Sequence, residues 1–172
     1  MMYHLIPFTK HWTEIYLPIV EAAQEKKKGK SFHCIESIAN LANLSMRLPD
    51  LPSPFVAMET NIGGDFSEKF LLPQYNVYFF VKASQKAGRD TDLDDAEAKE
   101  EALEHANEFL NYLREQKEKH CNDHQFPLMG IDTENAHFET FGPIHNRWFA
   151  VGVAMNDMSK RSRCVDKTKY KE

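Results

Sequence analysis

Three potential metal ligands fall within five residues of one another: His120, Cys121 and His124. Neutral imidazole and thiolate groups are good ligands for zinc, but a structural zinc site takes four ligands. No further CxxC or HxxxH pair supplies the rest. The alternative is a polar loop after a helix end, where His120 also suits the helix dipole. We therefore predict no metal site, and these three residues are the candidates if one exists.

Signatures of nucleophilic catalysis and of phosphate binding are also missing. A nucleophilic Ser or Cys needs a base that activates it, and the sequence has no G-x-S-x-G elbow. Cys34 follows His33, but neighbouring residues on a helix do not face each other, so Cys34 is expected to pack. Gly63 and Gly64 end a predicted strand without a following lysine-bearing helix, which favours a turn. The sequence predicts no catalytic residue, no enzymatic activity and no cofactor.

Aromatic and polar side chains are crowded into the segment 138–149. Aromatic residues and arginine are enriched at the centres of protein interfaces. The interface candidates are Phe138, Phe141, Ile144, Arg147, Trp148 and Phe149. The alternative interpretation is the packed core of a β-hairpin.

A second hypothesis is a small-molecule or enzyme site in the same part of the chain. Alternate residues of a strand share a face, so His137 and Glu139 are expected to project together. His145 and Arg147 would complete such a site.

The first fifty residues predict helices. Residues 9–27 have a helical pattern that Pro18 interrupts, so a start, kink or break is expected there. A second helix is predicted from Ser31 to about Arg47, because apolar residues recur at the spacing of one helical face. Dense prolines predict a loop at 49–54.

The remainder alternates between strands and one long helix. Strands are predicted at 55–62 and at 75–83. The second has two apolar faces, which indicates either a central strand covered on both sides or a strand whose second face meets a partner. Residues 92–119 are the clearest predicted helix. Carboxylates are concentrated near its start and basic residues near its end, and this distribution of charge is favourable to the helix dipole. Its apolar stripe is Ala96, Leu103, Ala106, Leu110 and Leu113, with Phe109 beside it.

The C-terminal part predicts an extended segment at 137–141, a turn at 142–146 and a strand at 147–155. Gly152 within that strand indicates a bulge or a close approach. Strands in antiparallel pairs around one helix predict an α+β fold.

Composition limits the class of protein. The 172 residues predict one domain over 1–159, followed by a basic tail at 160–172 of the kind that is often mobile. The net charge of −5 argues against nucleic acid as a partner, although lysines cluster at 26–30. Three scattered cysteines favour a reducing compartment. Without an apolar run long enough for a membrane, the chain is expected to be cytoplasmic during synthesis.

The layout of residues 55–155 resembles that of small phage tail-completion or tail-terminator proteins. The matching pattern is a strand at Pro54 to Met58, a partner at Tyr75 to Ala83, a helix at Asp92 to Lys119 and a final strand at Arg147 to Val151. The resemblance implies a twisted antiparallel sheet of about four to five strands with one long amphipathic helix packed on it. It also implies no catalytic residues.

The resemblance implies a function as well. Copies of such a protein assemble into a ring that completes or terminates a phage tail and meets other tail or neck proteins. The expected partners are therefore the chain itself and those proteins, and the expected final location is the virion. The alternative is the small-molecule-binding domain or enzyme described above.

Overall fold

A computed structural model describes residues 5–26, 29–38, 48–60, 63–66, 70–84, 90–122, 126–158 and 161–162, with the backbone alone at 49, 63–66, 70–72 and 161–162. Two helices begin the described chain: α1 (Leu5–Ile15) and α2 (Leu17–Glu25). Tyr16 separates them in an extended conformation, and Pro18 lies in the first turn of α2. A first-turn proline costs no helical hydrogen bond, because the amides there have no partner within the helix. The predicted break near Pro18 is confirmed.

Seven strands of the described residues form one sheet. They are β1 (Phe32–Ile35), β2 (Phe55–Glu59), β3 (Gly63–Phe66), β4 (Phe70–Lys82), β5 (His137–Ile144), β6 (Trp148–Asn156) and β7 (Arg161–Ser162). The strand order is β1-β2-β4-β6-β5, and β3 and β7 pair with the start of β4. Each pair is antiparallel except β1 and β2, which are parallel. The predicted α+β class is confirmed, and the sheet is mixed.

The strand β1 corrects the prediction that helices span residues 9–48. Phe32 to Ile35 pair with Val56 to Glu59, although a helix was predicted from Ser31. Backbone bonds fix this pairing: the Val56 amide donates to the Ser31 carbonyl at 2.8 Å. Such bonds to a distant strand outweigh a local helical pattern, which is a weak preference. The rest of that predicted helix, residues 39–47, lies outside the described residues.

The long helix α3 (Thr91–Lys119) matches the predicted helix to within one residue. The Asp90 side chain caps it by accepting from the Asp92 amide at 3.0 Å. The buried face is rotated from the predicted stripe, since Ala98 and Ala102 are buried whereas Ala96 and Leu103 are exposed. The face that packs on the sheet is Ala98, Ala102, Ala106, Phe109, Leu110 and Leu113.

Both faces of the sheet are covered. On the helix face, α1 and α3 pack on the sheet, and the Phe109 ring lies 5.3 Å from Trp12 and 5.6 Å from Phe79, centre to centre. The opposite face holds a second cluster, namely Leu48, Leu51, Phe55, Ala57, Tyr78, Phe80, Trp148 and Ala150. The predicted central position of β4 is therefore confirmed, because its side chains are buried alternately in the two clusters.

The C-terminal hairpin differs in detail from its prediction. The strand β5 continues to Ile144 through an irregularity after Phe141, where a turn was predicted, and the turn occupies 145–147. Asn146 and Arg147 have positive φ angles of 58° and 60°. None of the described helices has both the length and the apolar composition needed to cross a membrane.

Candidate functional site

The two metal-ligand candidates that the structure describes, His120 and Cys121, are not part of a metal site within the described residues. His120 follows the last residue of α3, and its ring stacks on Phe126 with 4.5 Å between centres. Cys121 is exposed, and His124 lies outside the described residues. Over the ranges that the structure describes, no three His, Cys, Asp or Glu side chains form a group that could hold a metal. Cys34, which was expected to pack, is also exposed, because it lies on the edge strand β1.

Two of the six interface candidates belong to the interior of the domain. Trp148 and Phe149 are each 1% exposed. As neighbours on β6 they point to opposite faces: the Trp148 ring packs against Phe55, and Phe149 lies in the helix-side cluster. Neither side chain is available to a partner in this conformation. For these two residues the burial agrees with the alternative interpretation, a packed hairpin core.

Arg147 joins the hairpin turn to the start of α3. Its Nε donates to the Asp95 carboxylate at 2.9 Å, its Nη2 donates to the same carboxylate, and Nη2 also donates to the Thr91 carbonyl at 2.8 Å. These bonds stabilise the left-handed conformation of Arg147, which is uncommon for a non-glycine residue. Arg147 therefore has a structural partner, and it lies on the helix face of the sheet.

A polar cluster lies on the opposite face. Glu59 is 8% exposed, and its carboxylate accepts from the Ile38 amide at 2.7 Å and from the Asn76 side chain at 2.6 Å. Burial raises the pKa of the neighbouring Tyr78 phenol, and the charges of Glu59 and Glu139 raise that pKa further. Both carboxylates therefore oppose ionisation of Tyr78.

The space beside this cluster is too small for a metabolite. His137 and Glu139 do project together, as predicted, and line a cleft of about 40 Å³ with Asn76, Tyr78 and Gly152. Pockets for small molecules hold roughly 300–1,000 Å³. His145 lies exposed in the hairpin turn, and Arg147 is bound to Asp95 across the sheet. The four residues of the predicted small-molecule site thus do not form one site.

Gly152 explains the tightness of the cleft. A Cβ atom there would lie 2.8 Å from the Tyr78 ring and 2.9 Å from the Phe141 ring. Glycine lets these two rings meet edge to face, with 5.6 Å between their centres. The predicted close approach at Gly152 is confirmed.

The other three interface candidates follow the edge of the sheet. Phe138, Phe141 and Ile144 lie along β5 and are half-buried. Among the described residues β5 pairs with β6 alone, so its outer backbone edge is open. Comparison of the chain with protein-family models, curated proteins and solved structures finds no match. Within the described residues, the candidate site is the open β5 edge, His137–Ile144.

Proposed function

We propose that this chain is a structural subunit of a phage or prophage tail or neck. In this proposal, copies assemble into a ring that completes or terminates the tail, and the ring meets other tail or neck proteins. The observation that supports it is the sheet's two different open ends: within the described residues, β5 has no neighbour beyond β6, and β1 has none beyond β2.

Open sheet edges favour assembly for a physical reason. An edge strand presents unpaired N–H and C=O groups that can pair with a strand of another chain. Here β5 adds the half-buried Phe138, Phe141 and Ile144, whose contact with a neighbour would remove apolar surface from water. A contact between two different edges is heterologous, and a heterologous contact that closes on itself produces a ring.

The first test is the mass of the protein in solution, measured by light scattering across a concentration series. The proposal expects the mass to rise towards a closed oligomer. Thr140 is exposed in the middle of β5, so Thr140→Lys would place charges on the edge without disturbing the core. We expect the concentration needed for assembly to rise by about 10-fold, which corresponds to about 1.4 kcal/mol per contact.

A matched variant separates the edge from a general effect of charge. Asn107→Lys adds the same charge to an exposed position of α3. It should assemble like the unmodified chain, and both variants should melt at the same temperature. A chain that stays monomeric at every concentration, or equal effects of the two variants, would contradict assembly through the β5 edge.

A further inference from the structure

A groove of about 440 Å³ lies between α1 and α3. This volume is within the range of ligand-binding pockets. On one side its lining is apolar, with Trp12 and Ile15 from α1 and Tyr112 from α3; on the other it is polar, with Glu108, Asn111 and Glu115 from α3. The groove is remote in the chain from the β5 edge, and it has different chemistry.

The apolar side of the groove is built from packed aromatic rings and is partly exposed. The Trp12 ring stacks on Tyr16 with 4.5 Å between centres, and Tyr112 packs against Phe8 at 5.6 Å. Ile15 is 45% exposed and adds aliphatic surface beside these rings. Packed aromatic rings with an exposed aliphatic neighbour provide apolar area at a low cost in conformational entropy.

The polar side is strongly acidic. Glu108 and Glu115 are seven residues apart on α3, so they lie on the same side of the helix about 10 Å apart along its axis. Glu115 pairs with Lys119 at 2.8 Å, but both side chains are 56% exposed and can exchange partners. The pKa of Tyr16 in the groove is raised by burial and then by the charges of Glu108, Glu104 and Glu101. The carboxylates thus create a negative potential inside the groove.

Such a groove fits a segment that carries both basic and apolar side chains. Segment 163–172, which follows the strand β7 in the sequence, has this composition, with Val165 and Tyr170 among four basic residues, namely Arg163, Lys167, Lys169 and Lys171. The other basic segment, 26–30, has four lysines and a glycine but no apolar side chain. Charge and apolar content together therefore favour segment 163–172.

We propose that the groove between α1 and α3 binds segment 163–172 of a second copy of this chain. The inference rests on the proposed self-assembly, to which it adds a second contact. Basic side chains pair with Glu108 and Glu115, while Tyr170 or Val165 covers Ile15 and Tyr112. Because the ion pairs are exposed, each contributes little, and the contact weakens as salt is added.

The test uses the full chain and a fluorescent synthetic peptide of residues 163–172. Peptide anisotropy is followed at about 20 mM salt, where screening is weak. The double variant Glu108→Gln, Glu115→Gln should bind about 10-fold more weakly, since two exposed ion pairs are lost. The matched control Glu100→Gln, Glu118→Gln changes the same charge on the same helix at exposed positions outside the groove lining. It should bind within about 2-fold of the unmodified chain.

A second pair of variants tests the apolar side. Ile15→Lys places a repelling cation in the groove, whereas Leu17→Lys places it at a residue that is 66% exposed and outside the lining. Both substitutions alter exposed positions, so both proteins should fold and give the same melting temperature. Only Ile15→Lys should strongly weaken peptide binding. Replacing Val165 and Tyr170 of the peptide by serine should also weaken it.

The outcomes separate this inference from the proposed ring. No peptide binding up to about 1 mM overturns the inference even if light scattering shows an oligomer. Equal losses for the two glutamate pairs overturn it as well, because they indicate general attraction to an acidic helix. Equal binding of a peptide of residues 26–30 overturns the choice of segment. Binding that depends on the groove supports the inference even if the β5 variants leave assembly unchanged.

Discussion

Among the described residues, the two faces of the sheet are covered by different kinds of structure. Two regular helices, α1 and α3, cover one face with apolar side chains. Among the described residues, the side chains that cover the other face include Ile38, Leu48 from a short 3-10 helix at Leu48–Asp50, and Leu51. The buried carboxylate of Glu59 binds the Ile38 amide on that face.

Because of this difference, we expect different kinds of substitution to destabilise the two faces. On the helix face, stability comes from buried apolar area and close packing, which are lost in proportion to the atoms removed. On the opposite face, the directional bonds of Glu59 attach Ile38 to the sheet. Removing one partner of a buried bond leaves the other unsatisfied. Four substitutions test this contrast.

Phe109→Ala should have the largest effect. The side chain is fully buried between Phe8, Trp12 and Phe79, so truncation leaves a cavity in the helix-side cluster. We expect the free energy of unfolding to fall by about 3–5 kcal/mol in urea titrations. Leu103→Ala, on the exposed side of the same helix, should cost less than about 0.5 kcal/mol. Similar losses for the two variants would refute the assignment of the buried face.

Glu59→Ala should cost about 2 kcal/mol, because it leaves the Ile38 amide and the Asn76 side chain without their acceptor. Hydrogen exchange of the Ile38 amide should accelerate by more than the global loss of stability explains. Glu59→Gln keeps one acceptor oxygen and should lose less. Unchanged protection of Ile38 would show that this carboxylate does not hold the segment.

Gly152→Ala should cost about 1–2 kcal/mol, because the new methyl group would be forced against the Tyr78 and Phe141 rings. The smaller side chain of Phe141→Leu should relieve part of this crowding. Thermal unfolding of the two single variants and the double variant gives the coupling between the sites. Strictly additive losses would mean that the rings move apart freely.

Tyr78→Phe should have the smallest effect, and one that depends on pH. The pKa of Tyr78 lies above its ordinary value of 10.0 in the folded protein. Above pH 10 the unfolded chain therefore loses a proton that the folded chain keeps, so stability falls as pH rises through this range. The slope is at most about 1.4 kcal/mol per pH unit. Between pH 9 and 11, unfolding experiments should show a shallower decline for Tyr78→Phe than for the unmodified chain, and parallel declines would contradict the shift.

The contrast between the faces also explains what the sequence could predict. The helix α3 has a dipole-matched charge distribution and a repeated apolar spacing, and β4 and β6 alternate over many residues. These are local signals. The strand β1 has none, since it is specified by backbone bonds to residues about twenty-five positions away, at Thr60 and Val56.

The candidate sites follow the same rule. The close approach at Gly152 could be predicted because glycine is uncommon within a strand. The bonds of Glu59 with Ile38 and Asn76 join three separate segments, so no spacing in the sequence reveals them. A carboxylate at the end of the otherwise apolar β2 was the available signal. The burial of both Trp148 and Phe149 required knowing that both faces of β6 are covered.

The two tryptophans of the chain give each face its own optical reporter. Trp12 lies in the helix-side cluster, stacked on Tyr16, and Trp148 lies in the opposite cluster. Trp148 is 1% exposed, and an indole shielded from water in this way emits at short wavelength. In Trp12→Phe the remaining tryptophan reports on the face opposite the helices. In Trp148→Phe the remaining tryptophan lies in the lining of the groove between α1 and α3. Emission from these two proteins would show whether the faces open together or one before the other.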